Sequence, residues 1–353
     1  MSGSAAQAYY ETADALRLTP RPLVSVVMAT YNQEQYLAAA IDGVLSQHVE
    51  FAVELLIGDD CSKDGTLALA LQMQGEHPCA IRVLSGTSNV GLLANYARLI
   101  RACRGEFIAS CDGDDVWTDP GKLQRQVKVL REIKNVGAIH TEFDHILWRN
   151  GRWHELREFH RHWYGDRAVP QGRVFNELLK RNFIQISTAC FRGDLLRMSV
   201  DEGALNTAYS INDWPLCLHV AARSDIAYLP ESTTRYRKVA GSMTNSGYAA
   251  RVRFFEGQVA MIENVCRRFD VAAADQIDAL TRLYRPMLSA AFFAGATETF
   301  ARTLAWLREN DSAYARSWRG RLLPLLAKSR LAHGILRVIQ DARVRWREVV
   351  AYR

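Results

Sequence analysis

Apolar residues in the first third of the chain fall into short runs that alternate with stretches of helical spacing. Residues 22–32, PLVSVVMATYN, predict a buried strand and a turn, and residues 33–47 show the 3.6-residue period of an amphipathic helix. Similar strand and helix pairs follow at 53–74 and 80–103, and a fourth apolar strand is predicted at 107–112. Strands alternating with helices in this way predict an α/β fold, with a mainly parallel sheet flanked by helices and ligands beyond the carboxyl ends of the strands.

The pattern changes at Val136. Residues 136–159 read as two strands joined at Asn150-Gly151, a dipeptide suited to a tight hairpin turn, so the sheet is expected to be mixed. Further along, the pattern predicts a helix at 174–182, a strand at 185–192, a helix at 213–224 and a strand at 226–231. The predicted organisation is a polar leader over 1–21, a domain over 22–248 with halves 22–125 and 126–248, and a basic helical region over 249–353.

Composition is that of an ordinary globular protein. The 353 residues are 48% hydrophobic and 23% charged, which allows a large core. There is no uncharged run near the roughly 18–20 residues that span a bilayer, and the N-terminus lacks the features of a secretion signal. Seven cysteines without a CxxC pair favour reduced thiols. We therefore expect a cytoplasmic protein, neither exported nor integral to a membrane.

Positive charge is concentrated near the C-terminus. Residues 250–353 carry 18 Lys and Arg against 10 Asp and Glu, within a chain whose net charge is +6. From Asp311 onward, ten basic and three acidic residues are interleaved with apolar residues at roughly helical spacing. Such helices either contact the inner face of an anionic membrane peripherally or are simply solvated, and the pattern leaves both interpretations open.

Carboxylates cluster where the fourth predicted strand ends. Asp112, Asp114 and Asp115 follow the apolar run FIASC, and carboxylates this close repel one another unless a cation accompanies them. A calcium-binding EF-hand loop is excluded by the crowded spacing and by the interrupting Trp117 and Pro120. The segment therefore predicts a site for a cation or for the metal of a polyphosphate.

Other polar residues end the neighbouring strands. Asp59 and Asp60 follow the second strand, and Asn89 and Gly91 follow the third. Each alone is equally well explained as a helix cap or a turn. In a parallel sheet, however, these residues and the aspartates after the fourth strand meet at one edge, where they could bind a nucleobase, a ribose or a phosphate.

Taken in order, SVVMATYNQEQYLAAAIDGVLSQ, LLIGDDCSKDGT and NVGLLANYARLIRACRGEFIASCDGDDVWTDPGKLQRQV resemble the GT-A-fold glycosyltransferases of family 2. The resemblance covers roughly residues 22–245 and implies a GT-A, Rossmann-like fold and an inverting enzyme that uses a nucleotide-sugar donor. It implies that the following residues bind the donor: Thr30, Tyr31, Glu34, Asp59, Asp60, Asn89, Gly91, Asp112 and Arg237. The family's DxD motif falls on Asp112 and Asp114, which would hold Mg²⁺ or Mn²⁺ on the diphosphate, with Asp115 as a supporting carboxylate.

Sugar transfer also needs a base that deprotonates the attacking hydroxyl. The resemblance places it at Asp213, although this residue could serve only as the cap of the following helix. The chain departs from the family pattern at Val239, the position where the family often has a histidine that completes metal or diphosphate binding. Arg237 or Lys238 would then balance the diphosphate charge, and we expect weaker metal dependence than is usual in the family.

The acceptor side is less clearly marked. Trp153, Trp163 and Trp214 are candidates because indole faces stack on sugars, although packing in the core would explain them equally well. Five of the nine histidines lie between His140 and His162, and without helical HxxxH spacing we interpret them as surface residues rather than metal ligands.

The sequence thus predicts an inverting glycosyltransferase that moves a sugar from a nucleotide-diphosphate donor to a hydroxyl of a glycan or glycolipid acceptor in surface polysaccharide biosynthesis. Uridine is favoured only by the resemblance, and no nucleic-acid partner is expected. Two alternatives remain. A nucleotidyltransferase should carry a Gly-rich basic loop after its first strand, which ATYNQEQY is not, and a non-catalytic binding protein should have lost its base.

Overall fold

The computed structural model describes residues 9–13, 17–149, 151–238, 247–317 and Arg321. In chain order its strands are β1 Tyr9–Thr12, β2 Val24–Thr30, β3 Val53–Asp59, β4 Ile81–Gly86, β5 Phe107–Ser110, β6 Val116–Trp117, β7 Val136–Arg149, β8 Arg152–Leu156, β9 Cys190–Arg192 and β10 Asp225–Lys238. Its α-helices are α1 Glu34–Leu45, α2 Thr66–Glu76, α3 Leu92–Ala102, α4 Lys122–Glu132, α5 Phe159–Tyr164, α6 Phe175–Lys180, α7 Gly193–Asp201, α8 Asp213–Ala221, α9 Tyr248–Arg268, α10 Ala273–Ala294, α11 Thr297–Asn310 and α12 Ser312–Arg316.

All ten strands join one mixed sheet in the order β1-β4-β3-β2-β5-β9-β7-β10-β6, with β8 paired to β7 beside this path. Strands β4, β3, β2 and β5 are parallel, as are β7 and β10, while the short β9 runs antiparallel between these two groups. The predicted α/β fold with a mainly parallel, mixed sheet is therefore confirmed. Strands β7 and β8 also form the predicted hairpin, with Gly151 at a φ of 74° in its turn.

Both faces of the parallel strands are buried. Along β2, Val27 and Ala29 belong to one apolar cluster, and Val26 and Met28 belong to the other. Because successive side chains of a strand point to opposite faces, a continuous apolar run is what a doubly covered strand requires. Helices α1, α2 and α4 cover one face, and α3, α7 and α8 cover the other.

Three elements differ from the predictions. The leader predicted to be only polar contains β1, which pairs antiparallel with β4. The strand predicted at 185–192 is a 3₁₀ turn, Ile186–Thr188, followed by the three-residue β9. Here Thr188 Oγ1 donates to the carbonyl of Gln185 at 2.6 Å, a local bond that competes with strand pairing. Strand β10 also continues beyond the predicted residue 231 as far as Lys238.

The C-terminal helices pack on the same core as the sheet. Met261 and Ile262 of α9 and Met287 of α10 are buried in the apolar cluster that contains Trp214 of α8. The helical prediction is confirmed as far as α12, and the basic segment beyond it lies almost entirely outside the described residues. Among the residues the structure describes, none of the helices combines the length and apolar character needed to cross a membrane.

Candidate active site

The carboxyl ends of β2, β3, β4 and β5 surround a cavity of about 360 Å³, which we call the donor cavity because residues predicted to bind the donor lie there. It is lined by Ala29, Thr30, Tyr31, Gln33, Asp60, Asn89, Gly91, Leu92, Asn95, Asp112 and Asp114. Six of the predicted donor residues thus meet at one edge of the sheet, together with the metal candidate Asp114. The Tyr31 side chain is 42% exposed beside this cavity. The face of its ring is therefore open for stacking against a ligand.

Two buried polar atoms beside this cavity have no hydrogen-bond partner among the described residues. They are Thr30 Oγ1 and Gln33 Oε1. Both atoms lie close to Gly113, in the loop that carries the aspartates. A Cβ at this position would lie 2.5 Å from Gln33 Oε1 and 3.1 Å from Thr30 Oγ1, so a glycine here allows this approach. Buried polar groups are rarely left unpaired, so this corner is suited to a polar ligand.

Asp60 lies in the wall of the cavity, whereas its neighbour Asp59 does not. The carboxylate of Asp60 is buried and accepts hydrogen bonds from the backbone N–H groups of Val90 at 2.7 Å and Gly91 at 2.9 Å. Gly91 has a φ of 85°, a conformation that glycine adopts without strain. Asp59 is fully buried and accepts from the N–H of Ser62 at 3.1 Å, without lining the cavity.

Glu34 lies elsewhere. Its carboxylate accepts a hydrogen bond from the N–H of Gly65 at 2.9 Å, at the start of α2. It lines a separate cavity with Asn32, Gln35 and Asp64. The structure therefore does not bring Glu34 among the residues of the donor cavity.

The three aspartates after β5 are crowded and largely shielded from water. Burial, followed by the charge of Asp114, raises the pKa of Asp112 to about 7. Burial also raises the pKa of Asp114, and it raises that of Asp115 well above its ordinary range, with further contributions from the other two carboxylates. The Tyr96 hydroxyl donates to Asp112. A bound cation would relieve this repulsion directly.

The arrangement fits a divalent cation held jointly by protein and substrate. Asp112 and Asp114 are partly exposed at the cavity, whereas Asp115 is buried and accepts from Ser187 Oγ at 2.5 Å and from the Arg237 N–H at 3.0 Å. Within the described ranges there is no group of three or more His, Cys, Asp or Glu side chains arranged as a complete metal site. Magnesium sites that use one or two carboxylates complete their coordination with water and substrate phosphates.

Arg237 lies behind the aspartates. Its guanidinium donates to the carbonyl of Asp114 at 3.1 Å and lies 5.3 Å from the ring centre of Tyr36. It is not among the lining residues of the donor cavity, so its place in the structure is that of a countercharge to the aspartate loop. Val239, whose side chain led us to expect weak metal dependence, lies outside the described residues.

A second cavity, of about 590 Å³, shares Asp112 with the first, and we call it the acceptor-side cavity. It is lined by Asp112, Lys180, Arg181, Asn182, Gln185, Ile186, Ile211, Asn212, Asp213, Trp214, Tyr236, Phe254, Gln258, Arg282 and Leu283. Its walls come from the loop after α6, the start of α8, strand β10 and helices α9 and α10. The C-terminal helices thus contribute directly to this cavity.

Asp213 is the first residue of α8 and faces this cavity. Its Oδ2 accepts from the Asn182 amide at 2.8 Å, and its Oδ1 accepts from the Trp214 N–H at 2.7 Å. Burial raises the pKa of Asp213 to about 6, against the lowering effect of these hydrogen bonds. The residue therefore binds the helix N-terminus and remains a carboxylate able to take up a proton near neutral pH.

The three tryptophans proposed for the acceptor occupy different environments. Trp214 lines the acceptor-side cavity, is 5% exposed and donates from Nε1 to the Leu178 carbonyl at 2.7 Å. Trp163 is exposed, and the Arg181 guanidinium lies 3.3 Å from its ring centre. Trp153 is exposed on the β7–β8 hairpin, 5.2 Å from the ring of Trp148. Neither Trp153 nor Trp163 lines either cavity.

The interpretation of the histidines as surface residues is wrong for two of them. His140 and His160 are buried, at 0% and 1% exposure. The His160 ring lies 3.0 Å from a Glu142 carboxylate oxygen and 2.6 Å from the Phe183 carbonyl oxygen. Because β7 crosses the middle of the sheet, the His140 side chain takes a core position whatever its polarity, and His160 of α5 packs against it, with the ring centres 5.4 Å apart.

Sequence reasoning missed several residues of the site. Tyr96 projects from a buried face of α3, where a tyrosine is indistinguishable by pattern from a core aromatic. The sequence pattern placed Asn182 at the end of a predicted helix. It placed Gln185 and Ser187 in a predicted strand. Their polar side chains, interleaved with apolar residues in RNFIQIST, were the available signal.

Known proteins resemble this chain in sequence and in fold. Residues 25–201, half of the chain, match the model of the family described as glycosyl transferase family 2. This chain belongs to glycosyltransferase family 2. A family relative, an uncharacterized protein of Mycobacterium tuberculosis, is 34% identical over 257 residues, which cover 68% of this chain and 67% of the relative. TuaG of Bacillus subtilis, whose name assigns it provisionally to teichuronic acid biosynthesis as a glycosyltransferase, is 33% identical over 113 residues, covering 32% and 43%.

Solved structures agree on the fold. TarS of S. aureus, residues 1–349 in complex with UDP-GlcNAc, is 17% identical and superposes with a TM-score of 0.58 over 91% of both chains. The mannosyltransferase PcManGT of Pyrobaculum calidifontis, in complex with GDP-Man and Mn²⁺, is 19% identical, with a TM-score of 0.50 over 91% of this chain and 88% of that one. The GT-A fold expected from the sequence is confirmed, including a C-terminal helical extension.

Proposed function

We propose that this family 2 enzyme is an inverting glycosyltransferase that moves a sugar from a nucleotide-diphosphate donor to an acceptor hydroxyl. The observation that supports this most directly is the position of Asp112 in the walls of both cavities. A donor whose nucleoside occupies the first cavity ends, with its diphosphate and sugar, at the place where the second begins. Asp213 faces that second cavity, on the side from which an acceptor would approach.

The donor would be held by residues at the ends of four strands. The open ring of Tyr31 is suited to stack on the base, and the unpaired Thr30 Oγ1 and Gln33 Oε1 are suited to polar contacts with the nucleoside. We propose a UDP-sugar, because TarS binds UDP-GlcNAc and superposes better than PcManGT, which binds GDP-Man. Asp112 and Asp114 would hold Mg²⁺ or Mn²⁺, which when bound neutralises charge on the departing diphosphate.

Asp213 is the proposed base. As the acceptor oxygen forms its bond to the anomeric carbon, Asp213 takes up the hydroxyl proton. The bond from the anomeric carbon to the phosphate oxygen breaks on the opposite face, and the nucleoside diphosphate leaves with the electron pair. A single displacement of this kind inverts the anomeric configuration. Asn182 and the Trp214 N–H hold the carboxylate in a fixed orientation throughout.

The biological setting proposed is the assembly of a surface polysaccharide or glycolipid, at the cytoplasmic face of the membrane. The similarity to TuaG supports the first part. The excess of basic residues after Asp311 supports the second, because it would attract an anionic membrane surface.

The test begins with donor binding and ends with transfer. Thermal shifts with UDP-, GDP- and dTDP-sugars in the presence of Mn²⁺ should select a UDP-sugar, and the selected donor should be hydrolysed slowly to UDP and free sugar. NMR of the transferred sugar should show the inverted anomer. Retention of configuration would contradict the single displacement, and stabilisation by no nucleotide sugar would contradict the donor assignment.

Metal removal tests the cation assignment separately. Because Val239 replaces the expected histidine, EDTA should reduce the turnover without abolishing it. Complete loss with EDTA and full recovery with Mn²⁺ would contradict this expectation, because it would show that transfer depends strictly on the cation.

A further inference from the structure

The acceptor-side cavity carries three cationic side chains that the proposed reaction does not use. They are Lys180, Arg181 and Arg282, and all three line the cavity that contains Asp213. The donor cavity, in contrast, has neither Lys nor Arg among its lining residues. The positive charge is therefore placed on the side of the acceptor, away from the nucleoside.

Two of these cations share acidic neighbours. Lys180 Nζ lies 3.4 Å from Asp278 and 3.9 Å from Asp275, and Arg282 lies 3.3 Å from Asp278. These pairs are partly exposed and therefore weak. Two carboxylates, Asp275 and Asp278, therefore face these two cations, and the weakness of the pairs leaves both cations able to contact a bound anion.

Arg181 has no carboxylate partner within the described part of the chain. Its guanidinium lies 3.3 Å from the ring centre of Trp163, a cation–π contact. Burial lowers the pKa of Arg181, and the positive charges of Arg167 and Arg282 lower it further. A stacked guanidinium keeps its N–H groups directed outward in the ring plane, the geometry that suits two parallel hydrogen bonds to a phosphate or carboxylate.

The position of Arg181 connects this charge to the chemistry. The next residue, Asn182, donates to the proposed base Asp213 at 2.8 Å. An oxyanion bound by Arg181 would therefore contact the same short loop that carries Asn182, the residue that orients the base. The remaining walls combine polar residues with apolar ones such as Phe254 and Leu283, which can contact the body of a sugar.

We infer that the acceptor carries an oxyanion, a phosphate or a carboxylate, close to its reacting hydroxyl, and that Arg181, Arg282 and Lys180 form the subsite that binds this group. The inference rests on the proposed function, because it takes the acceptor-side cavity as the place where the acceptor binds. It assigns Trp163 the role of a positioning residue that holds the Arg181 guanidinium flat, rather than that of a sugar platform.

Matched charged and neutral probes test this subsite. The protein is first saturated with UDP and Mn²⁺, which occupies the donor cavity, and is then titrated with glycerol phosphate or glycerol, and with glucuronic acid or glucose. Binding is followed by ligand-observed NMR. The charged member of at least one pair should bind about tenfold more tightly than its neutral counterpart, and the pair that discriminates identifies phosphate or carboxylate as the group recognised.

Three variants and one control locate the effect. Arg181→Gln and Arg282→Gln should each remove most of the preference for the charged probe, and Trp163→Leu should reduce it by a smaller factor. Arg181→Lys retains the positive charge but loses the planar guanidinium that can donate two parallel hydrogen bonds. We expect its preference for the charged probe to be intermediate. Arg302→Gln removes an exposed cation of α11 that pairs with Glu256 outside the cavity, and it should change nothing. Unchanged UDP affinity and unchanged thermal unfolding confirm that each variant is folded.

The outcomes separate the two proposals. Equal binding of charged and neutral probes would overturn the oxyanion subsite, and so would undetectable binding of both. If UDP still binds, the glycosyltransferase proposal remains intact. Loss of UDP affinity in Arg181→Gln would also overturn it, by assigning the arginine to the donor diphosphate. Failure of the unmodified protein to bind any nucleotide sugar would instead count against the proposed function.

Discussion

The two cavities that meet at Asp112 are built in different ways. The donor cavity is formed by residues that directly follow parallel strands, and its wall is fixed by short internal hydrogen bonds such as those from Val90 and Gly91 to Asp60. The acceptor-side cavity is assembled from a loop, a helix N-terminus, a strand and two C-terminal helices, spread over residues 112–283. The first is a product of sheet topology. The second depends on how distant helices pack, and can therefore vary while the donor side is kept.

The strongest test of this comparison is the residue that both cavities share. Asp112→Asn should reduce transfer and donor hydrolysis by roughly a thousandfold or more, since it removes a carboxylate from the place where charge develops on the leaving group. Steady-state kinetics with the selected UDP-sugar measures the loss. Asp201→Asn, an exposed carboxylate of α7, serves as the control and should retain full activity.

A substitution at Asp213 should affect the acceptor side of the site and leave donor binding unchanged. Asp213→Asn should lower kcat by about a hundredfold to ten-thousandfold, the range for loss of a general base, because the amide cannot take up the hydroxyl proton. The dissociation constant of the UDP-sugar, measured by calorimetry, should stay unchanged. Turnover at the normal rate would show that Asp213 is only a helix cap.

The pH profile reports the environment of the same carboxylate. With Mn²⁺ at saturation, so that the cation keeps Asp112 ionised, log kcat/KM should rise with pH up to the Asp213 pKa of about 6 and level off above it, because only the ionised form of Asp213 accepts a proton. Asn182→Ala removes a hydrogen bond that lowers this pKa, so the rising limb should move to higher pH by about one unit or less. Asn206→Ala, in an exposed turn, should leave the limb in place.

The smallest expected change in activity lies on the donor side. Asp60→Ala removes the acceptor for two backbone N–H groups and should weaken UDP-sugar binding by roughly tenfold, with a loss of about 2–3 kcal/mol in the free energy of unfolding. Affinity for an acceptor-side probe should not change. Asp60→Asn keeps one acceptor oxygen and should fall between the two proteins in both calorimetry and thermal unfolding.

The donor side could be predicted from the sequence for a physical reason. Parallel strands bring their carboxyl ends to one edge, so the order of apolar runs is enough to place Thr30, Asp60, Asn89, Asp112 and Asp114 together. Glu34 shows the limit of such reasoning, because a position next to a motif does not decide which way a side chain turns. Its carboxylate bonds to the Gly65 N–H instead.

The acceptor side was largely hidden from sequence reasoning. Only Asp213 and Trp214 among its lining residues were singled out for that side, Asp213 on the strength of a family resemblance. Phe254, Gln258 and Arg282 reach the cavity from helices whose amphipathic pattern indicates a buried face but not the partner it is buried against. Arg181 has the sequence context of an ordinary cation at a helix end, and its stacking on Trp163 depends on the fold of α5.

Strand β1 has a consequence for the behaviour of the protein in solution. It covers the outer backbone of β4, and its Glu11 carboxylate accepts from Arg82 Nε at 2.6 Å, which anchors it there. An uncovered β4 would offer a row of free N–H and C=O groups to any other extended chain. Strand β1 replaces this edge with one of only four residues, Tyr9–Thr12, whose short length limits pairing with other chains, so its removal should make the protein more prone to precipitate.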